Sequence, residues 1–365
     1  MLSGLKVLDF TRVLAGPLCT MTLGDLGAHV LKIERPDGGD ETRGWGPPFD
    51  DRGESAYFLS VNRNKKSLVA DIRDPADQAL LRDLVARADV VVDNFLPGTL
   101  DRYGLAPARL LAAHPSLLWC TITGFGPGSA RPGYDFVVQA ERGWMAITGE
   151  PDGPPMKVGV ALADVLAGKD AAISILAALA ARGRGTLDAD PAARHLAVSL
   201  AASAAAALVN VAQNSLVTGR DAARWGNAHA NLVPYQLFET ADRPIVVAVG
   251  SDSQWRACAI ALELTSLATD PALATNAGRL AHRRDVVAAL SARLATAPAA
   301  QWLERLERAG VPSGRVKSVL EVLSELDASP LTGLPPSTPG TVRFAPPRLD
   351  EDGASIRKRG WGAFP

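Results

Sequence analysis

LKVLDFTRVLAGPLCTMTLGDLGAHVLKIER (5–35) contains two strand-like runs, KVLDF (6–10) and HVLKIER (29–35), and the stretch from Pro17 to Ala28 between them is long enough for a crossover helix. The alternation continues through SLVADI (67–72), DVVVDNF (89–95) and LLWCTITGF (117–125). DPADQALLRDLVARA (74–88) and GTLDRYGLAPARLLAAH (98–114), which separate these runs, are each of helical length. Such alternation specifies an α/β fold, with a doubly wound parallel sheet covered by helices on both faces. Ligands bind beyond the carboxyl ends of the strands in such sheets, so the loops after Phe10, Arg35, Ile72 and Phe95 are the expected binding loops.

Outward from this region, GFGPGSARPG (124–133) and GEPDGPPMKVG (149–159) read as turns or loops. ADVLAGKDAAISILAALAAR (163–182) is a helix whose Ile173, Leu176 and Ala180 mark one apolar face. RHLAVSLAASAAAALVNVAQNSLV (194–217) reads as a strand running into a second buried helix, with alanine crowding that suits close helix packing or a subunit interface. PYQLFETADRPIVVAVGS (234–251) reads as a β-hairpin, and NRNKKS (62–67) as a polar turn. The expected organisation is a large domain over residues 1–200, joined by a tail at 326–365, a linker helix at 201–224 and a smaller α+β domain at 225–325.

With 365 residues, 47% of them hydrophobic, the chain can bury more than one core. Basic and acidic residues nearly balance, 38 against 39, without a basic stripe interleaved with aromatics, so no nucleic-acid partner is expected. No apolar run approaches the ~20 residues that span a bilayer. The start, MLSGLKVLDF, runs directly into strand-like sequence, so the expected location is cytoplasmic, with no membrane partner. Cys19, Cys120 and Cys258 are widely spaced and odd in number, which fits neither a disulfide framework nor a zinc site, and are expected as buried thiols with no metal site.

Asp164 comes immediately before the apolar helix, where unpaired N–H groups and the helix dipole favour an ionised carboxylate. Taken alone, the position suits an N-cap, and Asp is common there. A carboxylate held rigidly at a helix start is also a plausible nucleophile towards a thioester carbonyl.

Several stretches together carry a resemblance. Residues 5–45, NRNKKSLVADIRD (62–74), VVDNFLPGTLDRYGL (91–105), GFGPGSARPGYDFVVQA (124–140) and VGVALADVLAGKDAAISILAALAAR (158–182) resemble the class III CoA-transferases in order and approximate spacing. GNAHANLVPYQLFETADRPIVVAVGSDSQW (226–255) resembles that family's smaller domain. The resemblance implies that Asp164 is the nucleophile, passing through an aspartyl anhydride and an aspartyl-CoA thioester. It implies a Rossmann-like, CoA-binding large domain and an interlocked homodimer. The implied partners are an acyl-CoA and a small carboxylic acid, with CoA as substrate and no permanently bound cofactor.

By the same resemblance, CoA-contacting positions are Leu14, Ala15, Arg35, Ala70, Asp71, Ile72, Arg73, Asn94, Phe95, Leu96, Arg102, Gly133, Tyr134 and Asp135. RWGNAHANLVPYQ (224–236) is similar to members that use dicarboxylic acids, which implies a succinyl-CoA donor and places His229 and Asn231 at the acid.

Three rivals can be weighed on residues. DFTRVLAGP lacks the G-x-G-x-x-G turn of a dinucleotide site, which argues against a nicotinamide dehydrogenase. The α-methylacyl-CoA racemases share the fold and a similar Asp, but Tyr134 in PGYD (132–135) stands where their His falls, and a phenol with a pKa near ~10 is a poor base. A non-catalytic acyl-CoA-binding relative stays open, since SIRKRGWGAFP (355–365) ends sooner than the family's usual return segment and Leu14 replaces the Gln of formyl-CoA transferase.

Overall fold

A computed structural model describes residues 1–365, and packing divides the chain into two units. The first comprises Met1–Met145, Lys157–Arg220 and Leu326–Pro365, and the second Ala146–Met156 and Asp221–Glu325. In the first unit β1 (Lys6–Asp9), β2 (His29–Glu34), β3 (Lys65–Val69), β4 (Val90–Asp93), β5 (Leu118–Thr123) and β6 (His195–Ser199) form one parallel sheet in the order β3-β2-β1-β4-β5-β6. Val7 pairs with Val30 on one side and Val90 on the other, so the winding direction reverses between β1 and β4 and leaves a crevice at their carboxyl ends.

The helices that matter for the site are α1 (Ala15–Asp25), α2 (Pro75–Ala86), α3 (Pro107–Ala113), α4 (Asp135–Glu141) and α5 (Leu162–Gly183). Because strand side chains alternate between faces, Val7, Val30, Val90 and Cys120 pack against Cys19 and Leu23 of α1 and Ala167 and Ala171 of α5. Leu8, Leu31, Val91 and Trp119 face the other way, onto Leu81 and Leu84 of α2, Leu111 of α3 and the tail residues Ile356 and Trp361. Apolar side chains on both faces of every central strand explain why these runs read as continuously hydrophobic.

Helix α5 buries a different stripe from the one the sequence suggests. Ala163, Ala167, Gly168, Ala171, Ile175 and Ala178 are buried, whereas Ile173 is 63% exposed. Close approach by α1 selects small residues: a Cβ built on Gly168 would lie 2.5 Å from the Ala15 carbonyl oxygen. The Ala-rich segment after β6 also departs from expectation. Leu200–Ala206 is largely buried, but Val209–Thr218 buries none of its residues and exposes Leu216 and Val217.

NRNKKS is not a solvated turn. Asn62, Arg63, Asn64 and Lys65 are all buried, because each charge or amide finds a partner. Arg63 makes a two-pronged pair with Asp25 at 2.9 and 2.7 Å, Asn64 donates to Asp25 at 2.7 Å, and Lys65 donates to Asp9 at 3.0 Å. The tail then closes the free edge of the sheet. Asp350 accepts from the Val69 N–H at 2.7 Å and Asp352 from the Ser67 N–H at 3.1 Å, so side-chain carboxylates occupy donors that a further strand would otherwise take.

In the second unit β7 (Tyr235–Phe238) and β8 (Ile245–Ala248) form the expected antiparallel hairpin, extended by β9 (Ser313–Arg315) in the order β7-β8-β9. Its core gathers Ile245 and Val247 with Trp255 and Trp302. All three cysteines are buried, and no single helix is long and apolar enough to cross a membrane.

The Gly168 contact can be tested directly. Gly168→Ala should lower unfolding stability in urea by about 1–3 kcal/mol with little change in m-value, since α1 must move off α5 to admit the methyl group. A variant as stable as the parent would show that the two backbones are not in the close register described.

Candidate active site

The crevice at the ends of β1 and β4 is built from a loop with very little freedom. Asp9 accepts from the Thr11 backbone N–H at 2.9 Å and from its hydroxyl at 2.6 Å, and Lys32 donates to the Thr11 carbonyl at 2.8 Å. Asn94, at the end of β4, holds Arg12 by both backbone groups, accepting from its N–H at 3.1 Å and donating to its carbonyl at 2.8 Å. Val13 takes a left-handed conformation with φ 72°, unfavourable for a β-branched residue, and its N–H bonds Asp40 at 3.3 Å. Burial opposes ionisation of Asp40, but the Lys32 ammonium and the Thr42 donors outweigh it and hold the carboxyl at about 2. These bonds sustain the local strain, a pattern common where a backbone group must be aimed.

The aimed group is the Ala15 N–H, the first of α1, which lies close enough to the Asp164 carboxyl to favour its ionised form. Asp164 does not cap its helix. It is the third residue of α5, and Ala161 at the cap position makes no side-chain bond. The capping carboxylate comes instead from α4: Asp135 accepts from the Ala163 N–H at 2.8 Å and from Gln139 at 2.7 Å, while Gln139 accepts from the Val158 N–H at 2.9 Å. Two carboxyl groups therefore share one corner. Burial first, and then the charge of Asp135, raise Asp164 to about 7, against the smaller opposing effect of the Ala15 N–H. The expected preference for the ionised form is thus overturned, because desolvation and a like charge exceed the pull of the helix start.

Two cavities open here. One of about 250 Å³ contains Asp164 together with Ala15, Asn94, Phe95, Leu96, Gly133 and Tyr134. The other, about 310 Å³, is lined by Arg35, Ala70, Asp71, Ile72, Arg73 and again Phe95. Leu14, Arg102 and Asp135 line neither, Leu14 being the residue before α1 and Asp135 being spent on α5. Gly133 reaches its place because it packs on Gly124, where a Cβ on either would come within 2.5 Å of the other's backbone. His229 and Asn231 belong to the second unit, where the His229 Nδ1 accepts from the Asn231 N–H at 3.0 Å and Arg283 bonds the His229 and Ala230 carbonyls.

Sequence reasoning passed over three residues here. Arg12 lines both cavities. Tyr57 is pushed up to about 12 by burial and by the charges of Asp164 and Asp135, so it is a neutral hydroxyl near the site, with Trp45 edge-on at 5.1 Å. Gly168 sets the distance of Ala15 from α5. A signal for Arg12 existed in its place directly after the first strand; Tyr57 and Gly168 depend on long-range packing that no local pattern encodes.

Residues 2–332 match the sequence pattern of CoA-transferase family III. The chain belongs to that family. Among family III members, it is 43% identical over 330 residues to the mouse (Mus musculus) succinyl-CoA:glutarate CoA-transferase, covering 89% of this chain and 74% of the relative. It is 41% identical to the succinate–glutarate CoA-transferase of Agrobacterium fabrum, over 89% and 82% of the two chains. A solved CAIB/BAIF family protein from Brucella suis superposes with a TM-score of 0.84 at 39% identity, over 98% of both chains. Family III membership makes the protein an enzyme that transfers CoA.

For a family III enzyme with this site, pH dependence follows from the raised Asp164 value. A carboxyl whose native value lies above its unfolded one takes up a proton on folding, so its contribution to stability declines as pH rises through about 7, while the ionised form needed for attack appears over the same range. We expect kcat/KM to rise about tenfold per pH unit below that point and level off above it. In Asp135→Asn the midpoint should move to lower pH, because a like charge is removed. A pH–rate profile with the same midpoint in both proteins would rule out Asp135 as a contributor to the shift.

Proposed function

We propose that this enzyme moves CoA from succinyl-CoA to a second dicarboxylic acid of the glutarate class, with Asp164 as the covalent residue. The observation that carries this reading is the Asp164 carboxyl in the strand-end crevice, beside the first N–H of α1. The names of the mouse and Agrobacterium relatives supply the substrate class. Asp164 attacks the thioester carbonyl, giving a mixed anhydride and free CoA thiolate. The thiolate then attacks the Asp164 carbonyl, forming an aspartyl-CoA thioester and releasing the donor acid as its carboxylate. The acceptor carboxylate attacks that thioester, forming a new anhydride and expelling CoA thiolate. Attack of the thiolate on the acceptor carbonyl yields the new acyl-CoA and regenerates Asp164. Developing oxyanion charge on the Asp164 carbonyl is met by the α1 N-terminus.

His229, whose Nδ1 accepts from the Asn231 N–H, keeps Nε2 as a donor suited to a carboxylate. Self-association into a homodimer is part of the proposal and is supported by the apolar side chains that Val209–Thr218 exposes. A stable monomer at micromolar concentration by light scattering would remove it.

Asp164→Asn and Asp164→Ala should both lose transfer by several orders of magnitude while still binding CoA, since neither side chain can form an anhydride. After incubation of the parent with succinyl-CoA and trapping by hydroxylamine, mass spectrometry should find the change in a peptide containing Asp164. An Asn variant that keeps more than about a tenth of parental turnover, once deamidation is excluded by mass, would eliminate Asp164 as the covalent residue.

A further inference from the structure

The two cavities meet at only two shared residues, Arg12 and Phe95. A thioester presented to Asp164 occupies the smaller cavity, and the arginine-lined cavity beyond β2 and β3 suits the nucleotide end of the same molecule. A chain joining them runs past this guanidinium and this ring, the Arg12 Cζ lying 5.7 Å from the Phe95 centroid.

Arg12 has spare capacity for an anion. Its Nε is buried and bonds nothing, and its only ionic partner, Glu41, lies at 3.3 Å, long for a charged pair. Among the neighbouring cations Arg35 bonds the Gly39 carbonyl and no carboxylate, while three others are more fully engaged. Lys32 is closed on Asp40 at 2.9 Å, Arg73 is two-pronged on Asp71, and Arg131 is two-pronged on Glu141. The Arg12 backbone is fixed by Asn94, so little ordering cost attaches to presenting the side chain at this junction.

Glu41 lines only the Asp164 cavity, so an acyl carboxylate approaching Arg12 from that side would meet a like charge. The carboxylates of the other cavity, Glu34, Asp40 and Asp71, are each closed on a cation of their own, Arg43, Lys32 and Arg73, and Asp37 is exposed. Within CoA the pantetheine arm is neutral, and the anionic group next to it is the diphosphate. Resting on the CoA-transfer reading above, we propose that Arg12 binds the diphosphate of CoA at the junction of the two cavities, with Phe95 packed beside it. A guanidinium fork matches two phosphate oxygens, and an ammonium cannot reproduce that geometry.

The test uses four donors with the whole enzyme: succinyl-CoA, its dephospho form lacking the 3′-phosphate, succinyl-4′-phosphopantetheine and succinyl-pantetheine. In Arg12→Met, KM should rise ~10- to 100-fold for the two donors that keep the diphosphate, less for the monophosphate, and not at all for succinyl-pantetheine. The kcat and the acceptor KM should hold. Arg12→Lys should recover part of the loss, and unchanged thermal midpoints should show that both variants fold. An equal rise for succinyl-pantetheine, a rise confined to the acceptor acid, or no rise at all would overturn the assignment. Should the parent turn over none of the donors, the transfer reading itself fails. Calorimetric binding of CoA and pantetheine to parent and Arg12→Met then decides Arg12 separately: selective loss of CoA affinity supports it and equal affinities overturn it.

Discussion

The contact of the α1 start with α5 at Gly168 governs the geometry of the whole site. Absence of a side chain there lets the Ala15 carbonyl oxygen lie 2.5 Å from where a Cβ would stand. The same approach carries the Ala15 N–H onto Asp164, one turn earlier on α5. Small residues elsewhere on the buried face of α5, Ala163, Ala167 and Ala171, follow from the same spacing, since larger side chains would force the helices apart. One steric requirement thus sets both the composition of the longest helix and the electrostatic environment of its carboxylate.

Beneath the site lies a layer of fully buried charge, in which Asp9 pairs with Lys65 and Asp40 with Lys32. Burying such ions is costly, and the cost is offset only where every lone pair and proton finds a partner. Asp9 meets that condition through Thr11, Thr20 and Lys65, and Lys65 through Asn62, the Pro17 carbonyl and Asp9. Neutral pairs of apolar residues would fill the same volume, but they could not bond the Thr11 carbonyl or the Val13 N–H. Directional bonds from this layer give the loop its fixed path, which apolar packing could not specify.

The sheet was readable because its strands are local apolar runs, separated by stretches of helical length. Errors arose wherever a polar residue's partner is remote. NRNKKS looked solvated because Asp25 and the tail, which bury it, are far away in sequence. Asp164 looked like a cap because Asp135, the residue that does the capping, lies on another helix. Its carboxyl was expected to ionise readily because burial and the second carboxylate are properties of the fold alone. Ile173 was assigned to the wrong face of α5 because periodicity ranks large residues first, whereas here the closely packed neighbour demanded small ones. Most of the strand-end loop positions do line the two cavities, since their placement follows from topology. Arg12 was in plain view in DFTRVLAGP, but the stretch was read for the glycines it lacks.

The tail's hold on β3 bears on how the molecule is assembled. Arg357 joins the Val69 carbonyl to Asp77, and Asp77 in turn accepts from the Asp71 N–H, so the wall formed by Ala70 to Arg73 is tied to residues more than 270 positions later. Contacts of such sequence separation form late, after the intervening chain has been made and folded. On a ribosome the sheet can form while its outer edge is still bare, and that edge stays open to pairing with other chains until residues 350–357 emerge. The wall of the arginine-lined cavity is thus completed only after residues 350–357 have been made, and the same step covers the β3 edge.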